Sequence, residues 1–143
     1  MSIKQMTPPE VKAAMDANPD AVYLDVRTEM EFAMGHPAGA INVPVAFPDP
    51  ATGGLRLNPD FVTVVEKLLP QEKPIFCGCQ AGMRSQKAAE LLAQAGYDDL
   101  TNVQGGFGGG PGGVPGWKTV GLPVSQDTGD DVSYAGLKKK AGL

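Results

Sequence analysis

An α/β fold, with parallel strands joined by helical crossovers, is what this sequence predicts, and three observations predict it. Short apolar runs at Val22-Tyr23-Leu24, Ala40-Ile41-Asn42-Val43 and Pro74-Ile75-Phe76-Cys77-Gly78 are bounded by turn residues and have the length of buried strands. Between them lie stretches at helical spacing, such as Phe61, Val64, Val65, Leu68 and Leu69. Two Thr-x-x-Glu boxes mark helix starts directly. Strands and helices alternating in this way put helices on both faces of a parallel sheet.

In chain order, Thr7-Pro8-Pro9-Glu10 opens a helix carrying Val11, Ala14 and Met15, and Asn18-Pro19 ends it. The strand at Val22–Leu24 leads to Thr28-Glu29-Met30-Glu31, the second box, whose short helix stops at Gly35. After the strand at Ala40–Val43, the prolines and paired glycines between Phe47 and Gly54 read as a surface loop. Asn58-Pro59 serve as cap and first residue of the next helix. The strand Pro74–Gly78 precedes a helix bearing Ala88, Leu91, Leu92 and Ala95, with its stop at Gly96, and Thr101-Asn102-Val103 is a last weak strand. Eight of the twelve residues from Gly105 to Gly116 are glycine, which argues against regular structure there. Residues 125–143 hold few large apolar groups and end near Lys138-Lys139-Lys140, so they read as a mobile tail.

The chain has 143 residues, enough for one core and too few for two. Hydrophobic residues make up 42% and charged residues 20%, an ordinary globular balance. A net charge of -4 provides no positive field for nucleic acid or anionic lipid, and no run approaches the ~20 apolar residues of a membrane span. Met1-Ser2-Ile3-Lys4-Gln5 lacks the pattern of a secretory signal, so a reducing cytoplasm is the expected location. There the two cysteines, Cys77 and Cys79, are expected as thiols. With one histidine beside them they make a poor metal set, and neither metal nor cofactor is expected.

The chemistry is concentrated at Cys79-Gln80-Ala81-Gly82-Met83-Arg84-Ser85, between a strand and an amphipathic helix. In open α/β sheets ligands bind beyond the carboxyl ends of the strands, where a loop entering a helix points unpaired N–H groups into its curve. Those dipoles would stabilise a Cys79 thiolate as a nucleophile. Residues 73–89 contain Lys73, Arg84 and Lys87 but no acid, which favours a small dianion at the loop. The alternative is an inert buried thiol with solvated basic residues on the helix.

Three blocks in order resemble the rhodanese, or thiosulfate sulfurtransferase, homology domain: Leu24-Asp25-Val26-Arg27-Thr28 with Glu31-Phe32, Gly35-His36 with Gly39-Ala40-Ile41-Asn42-Val43-Pro44, and Cys79-x-x-Gly82-x-Arg84-Ser85. Gly105-Gly106, Trp117 and Gly121-Leu122-Pro123-Val124 are similar to the family's closing segment. The Gly78-Cys79-Gln80 and Asn58-Pro59-Asp60-Phe61 stretches look closest to small single-domain members from plants and bacteria. The resemblance spans about residues 3–124, so 1–124 is the expected domain and 125–143 the expected tail. It implies a five-stranded parallel sheet flanked by helices and a ping-pong reaction. Cys79 takes the outer sulfur of thiosulfate or a related sulfane-sulfur donor as a persulfide, then passes it to cyanide, glutathione or a thioredoxin-like thiol. The amides of Gln80, Ala81, Gly82, Met83 and Arg84 would surround the transferred sulfur.

Arg84 either holds the donor's sulfonate or folds back on Asp25. Asp25 and Arg27 read as an ion pair fixing two elements, His36 as a hydrogen-bonding turn residue, and Cys77 as a side chain entering one packed face while Cys79 emerges at the rim. Phe107 and Trp117 either wall the site or belong to the core. Two rival functions remain beside sulfur transfer. A cysteine phosphatase of related fold has five residues between cysteine and arginine, whereas here four, Gln80 to Met83, intervene. A non-catalytic interaction module commonly lacks the cysteine, which this chain retains.

Overall fold

The computed structural model describes residues 3–143. Its centre is a parallel sheet of five strands in the order β1-β8-β7-β2-β4, built from β1 (Lys4–Met6), β2 (Val22–Asp25), β4 (Ile41–Asn42), β7 (Ile75–Gly78) and β8 (Leu100–Val103). This is the predicted α/β architecture, with one addition. The edge strand β1 escapes sequence reading because its burial pattern carries no apolar alternation.

Pleating sends alternate side chains to opposite faces. Leu24, Ile75 and Cys77 pack on one face with Val64 and Val65 of α3 (Phe61–Leu68) and Ala88 and Leu92 of α4 (Met83–Gln94). Tyr23, Phe76 and Val103 pack on the other with Val11 of α1 (Pro8–Ala17), Phe32 of α2 (Glu29–Met34) and Trp117. Helices thus cover both faces.

Both threonine boxes form. Thr7 N donates to Glu10 Oε1 at 2.8 Å, and Thr28 N donates to Glu31 Oε1 at 3.1 Å while Glu31 N donates back to Thr28 Oγ1 at 3.3 Å. Asn58 does not cap α3 as expected. Its Oδ1 accepts from Asp60 N at 3.0 Å, and its Nδ2 donates to Pro44 O and Tyr134 Oη, both at 2.9 Å, so the helix begins at Phe61. The expected loop after Phe47 is the turn of a hairpin, β5 (Ala46–Pro48) with β6 (Leu55–Leu57); the Leu-Arg-Leu of β6 is too short to mark a strand, and both leucines are exposed. The glycine-rich segment is irregular apart from a 3₁₀ turn at Pro111–Gly113.

Residues 125–143 are a correction. Instead of a mobile tail, β9 (Val124–Ser125) pairs with β3 (His36–Pro37), and α5 (Tyr134–Lys140) seats Tyr134, Leu137 and Ala141 in the α3 side of the core. Those three residues form a single helical face, so their spacing outweighs their small number. Gly136 lets the segment before α5 fold tightly against the helix, since a Cβ there would lie 2.1 Å from Asp130 O. Among the described residues no helix is long and apolar enough to cross a membrane.

Candidate active site

β7 ends at Gly78, and the next residues turn directly into α4, placing Cys79 at the carboxyl edge of the central strand pair β2 and β7. Gly78 lets this happen at close quarters, since a Cβ there would overlap the Tyr23 hydroxyl at 2.0 Å. Gly82 closes the turn at φ +109, a conformation that side chains resist.

Cys79 does not emerge at the rim. It is 2% exposed and lies in the same cluster as the fully buried Cys77. Gly82 N donates to Cys79 Sγ at 3.0 Å, and Ser85 Oγ lies 3.3 Å from the sulfur and 2.6 Å from Asn102 Oδ1. Asn102 Nδ2 in turn donates to Gln5 Oε1 at 2.9 Å and Gly82 O at 3.2 Å, tying the loop to β1 and β8. Ser85, Asn102 and Gln5 were not singled out from the sequence; Ser85 stands inside the motif, but Asn102 and Gln5 carry no local signal. Burial, with repulsion from a charge on Cys79, pushes the Cys77 thiol up to about 12, so Cys77 stays protonated at neutral pH.

The glycine-rich segment is a structural wall of the loop. Phe107 N donates to Cys79 O at 2.8 Å and Gly108 N to Gln80 O at 3.0 Å. In a trans peptide the N–H points opposite to the C=O, so these two bonds turn the amides of Gln80 and Ala81 away from the segment. Between segment and loop, backbone approaches backbone most closely at Gly106, where a Cβ would stand 2.4 Å from Cys79 O.

Arg84 pairs with Glu31 and not with Asp25. Its Nη1 and Nη2 donate to Glu31 Oε1 and Oε2 at 2.7 and 2.9 Å, a fork joining α4 to α2. Asp25 is unavailable because Arg27 has it: the buried pair is closed by Arg27 Nη2 at 2.8 Å and Nε at 3.0 and 3.1 Å. This is the structural ion pair the sequence predicted. Arg27 also donates to Gly35 O at 2.7 Å and Gln80 Oε1 at 3.3 Å and lies 4.6 Å from the Phe107 ring centre, so it knits four segments together. Although partial burial opposes its ionisation, Glu31 is held at about 2 by hydrogen bonds from Arg84 and the Thr28 amide, together with the charge of Arg84.

Of the other basic residues expected here, Lys73 precedes β7 and lies at the far end of the strand from Cys79, and Lys87 is exposed a turn into α4. Met83 is 75% exposed. His36 hydrogen-bonds as read, its Nδ1–H donating to Phe32 O at 2.7 Å, but it stands in β3 opposite Ser125 and not in a turn. Trp117 is core, whereas Phe107 walls a cavity.

Two cavities flank the loop. One, of about 590 Å³, is bounded by Arg27, Glu31, Gln80, Phe107, Gly108 and Lys118 among others. The second, of about 510 Å³, is lined without a charged residue and includes Gln5, Ala81, Gly82, Asn102 and Gln104. Among the described residues no three His, Cys, Asp or Glu side chains converge as a metal set.

The family model described as Rhodanese-like domain matches residues 7–109. Chloroplastic thiosulfate sulfurtransferase 16 of Arabidopsis thaliana is 41% identical over 102 residues, 71% of this chain and 78% of that protein. Thiosulfate sulfurtransferase GlpE of Haemophilus influenzae is 29% identical over 87% of this chain and 96% of its own. Some plant relatives are longer: the match spans 52% of senescence-associated protein DIN1 of Raphanus sativus. Among solved structures, Rv0390 from M. tuberculosis superposes with a TM-score of 0.73 at 30% identity, covering 89% of this chain and all of that one.

Proposed function

This chain belongs to the rhodanese-like domain family, and from that premise we propose that it is a sulfurtransferase carrying sulfane sulfur as a persulfide on Cys79. The observation that supports this most directly is the seat of the sulfur at the mouth of α4, with the Gly82 amide 3.0 Å from Sγ. That N–H, at the N-terminus of α4, is a hydrogen-bond donor aimed at the attacking sulfur. The thiolate attacks the outer sulfur of thiosulfate or a related donor; the S–S bond breaks and its electron pair leaves with sulfite. The resulting Cys79 persulfide is then attacked at its outer sulfur by cyanide or an acceptor thiol, such as glutathione or a thioredoxin-like protein, which regenerates the thiolate. The amides of Gln80, Ala81, Gly82, Met83 and Arg84 are assigned to the outer sulfur, where negative charge accumulates.

Phosphatase chemistry fits less well. The loop has one residue fewer than that chemistry uses, and the Arg84 fork that would clasp phosphoryl oxygens is occupied by Glu31. A purely binding role leaves the Cys79 environment without a purpose. Intact-mass measurement after exposure to thiosulfate tests the reading: a gain of about 32 Da, one sulfur atom, lost in Cys79→Ser. Hydrolysis of aryl phosphates without any sulfur gain would overturn it.

A further inference from the structure

Two guanidiniums stand at the Cys79 loop, and each is already matched by a carboxylate. Arg27 is buried against Asp25, and Arg84 is gripped on both nitrogens by Glu31. The remaining cation on the charged cavity wall is Lys118, which has no carboxylate partner among the described residues. Glu31 lines the same cavity and is ionised across the physiological range. Thiosulfate arriving there carries two negative charges towards a thiolate and finds both arginines engaged. An alkyl hydropersulfide carries at most one.

Resting on the sulfur-transfer reading, we propose that Glu31 is a specificity-determining residue: by holding Arg84 it keeps that guanidinium from dianions and favours alkyl hydropersulfide donors over thiosulfate. With such a donor, R–S–SH, the Cys79 thiolate forms a bond to the outer sulfur and the donor's S–S bond breaks. The electron pair leaves on RS⁻, and the proton stays on the new persulfide. No external oxidant or reductant enters.

Glu31 also completes the capping box of α2, and glutamine can fill that place. Glu31→Gln therefore separates charge from architecture. Single-turnover loading of Cys79 is followed by intact mass with thiosulfate and with benzyl hydropersulfide. The variant should load from thiosulfate about tenfold faster at subsaturating donor, through a lower half-saturating concentration, with the hydropersulfide rate changed less than about twofold. Adding Arg84→Gln should cancel the gain, because the gain runs through the freed guanidinium. A merely structural Glu31 predicts slower loading from both donors. That result, or equal changes for the two donors, overturns the proposal.

The unmodified protein supplies a second measurement that needs no folded variant. It should load from benzyl hydropersulfide at a lower half-saturating concentration than from thiosulfate, because neither arginine is free to meet a dianion; a lower value for thiosulfate overturns the proposal. Loading from neither donor would remove the sulfur-transfer reading itself. Loading with an unmoved donor preference in Glu31→Gln removes this proposal alone.

Discussion

Gly106→Ala is the most informative single substitution, because its cost can be worked from the structure. Gly106 has φ +56, and a Cβ there would lie 2.4 Å from Cys79 O and 2.8 Å from both C and O of Gln80. All three are backbone atoms and cannot rotate away. The glycine-rich segment must retract, weakening the bonds from Phe107 N to Cys79 O and from Gly108 N to Gln80 O, 2.8 and 3.0 Å long. Left-handed strain of about 1–2 kcal/mol, plus two hydrogen bonds at about 0.5–1.5 kcal/mol each, gives a loss of about 2–5 kcal/mol. With its two carbonyls released, the Cys79 loop loses its fixed amide directions, and sulfur loading should fall about tenfold or more. Gly112→Ala is the control: φ is +75 there but nothing lies within 4 Å, so it should cost only the strain and leave loading intact. Urea unfolding and persulfide loading by intact mass measure both quantities. If the two variants prove equally stable and equally reactive, the segment does not brace the loop and the reasoning fails.

Cys77→Ser should retain sulfur loading but lose about 1–3 kcal/mol of stability, since it puts a hydroxyl into a fully buried apolar cluster; abolished loading in a folded variant would assign Cys77 a chemical role. The Glu31 carboxyl, held at about 2 against an ordinary 4.5, adds stability that is fully present above the unfolded value and disappears as pH falls through about 2. The melting temperature of Glu31→Gln should therefore fall less steeply than that of the unmodified protein between those two pH values, as differential scanning calorimetry can determine. Leu137→Ala should destabilise the whole domain by about 2–5 kcal/mol in a single transition, whereas a dispensable tail would leave urea unfolding unchanged.

Elements with a strong local signature could be read from the chain. The apolar strands β2 and β7, both threonine boxes and the Gly96 stop after α4 each declare themselves within a few residues. β1 and β6 could not, because an edge strand and an exposed hairpin strand obtain their conformation from partners rather than from burial. At the site, Cys79 and its loop were legible from the motif. The partner of Arg84 was not: Glu31 is recognisable as a capping residue, but its second task lies across 53 residues of sequence. Likewise, the meeting of Asn102 with Ser85 and Gln5 depends on strand order, which no spacing records. In the last segment, sparse composition obscured the one-sided spacing of Tyr134, Leu137 and Ala141.

The Ser85 hydroxyl owns one hydrogen and has two claimants, the Asn102 carboxamide oxygen at 2.6 Å and the Cys79 sulfur at 3.3 Å. Asn102 cannot flip to compensate, since its nitrogen is committed to Gln5 and Gly82. Each swing of that hydrogen towards an anionic sulfur strands a buried oxygen beside the first strand. If the protein carries sulfur on Cys79 as proposed, the empty and loaded sulfurs would compete differently for that hydrogen, and amide exchange along that margin of the sheet should report how much sulfur is bound.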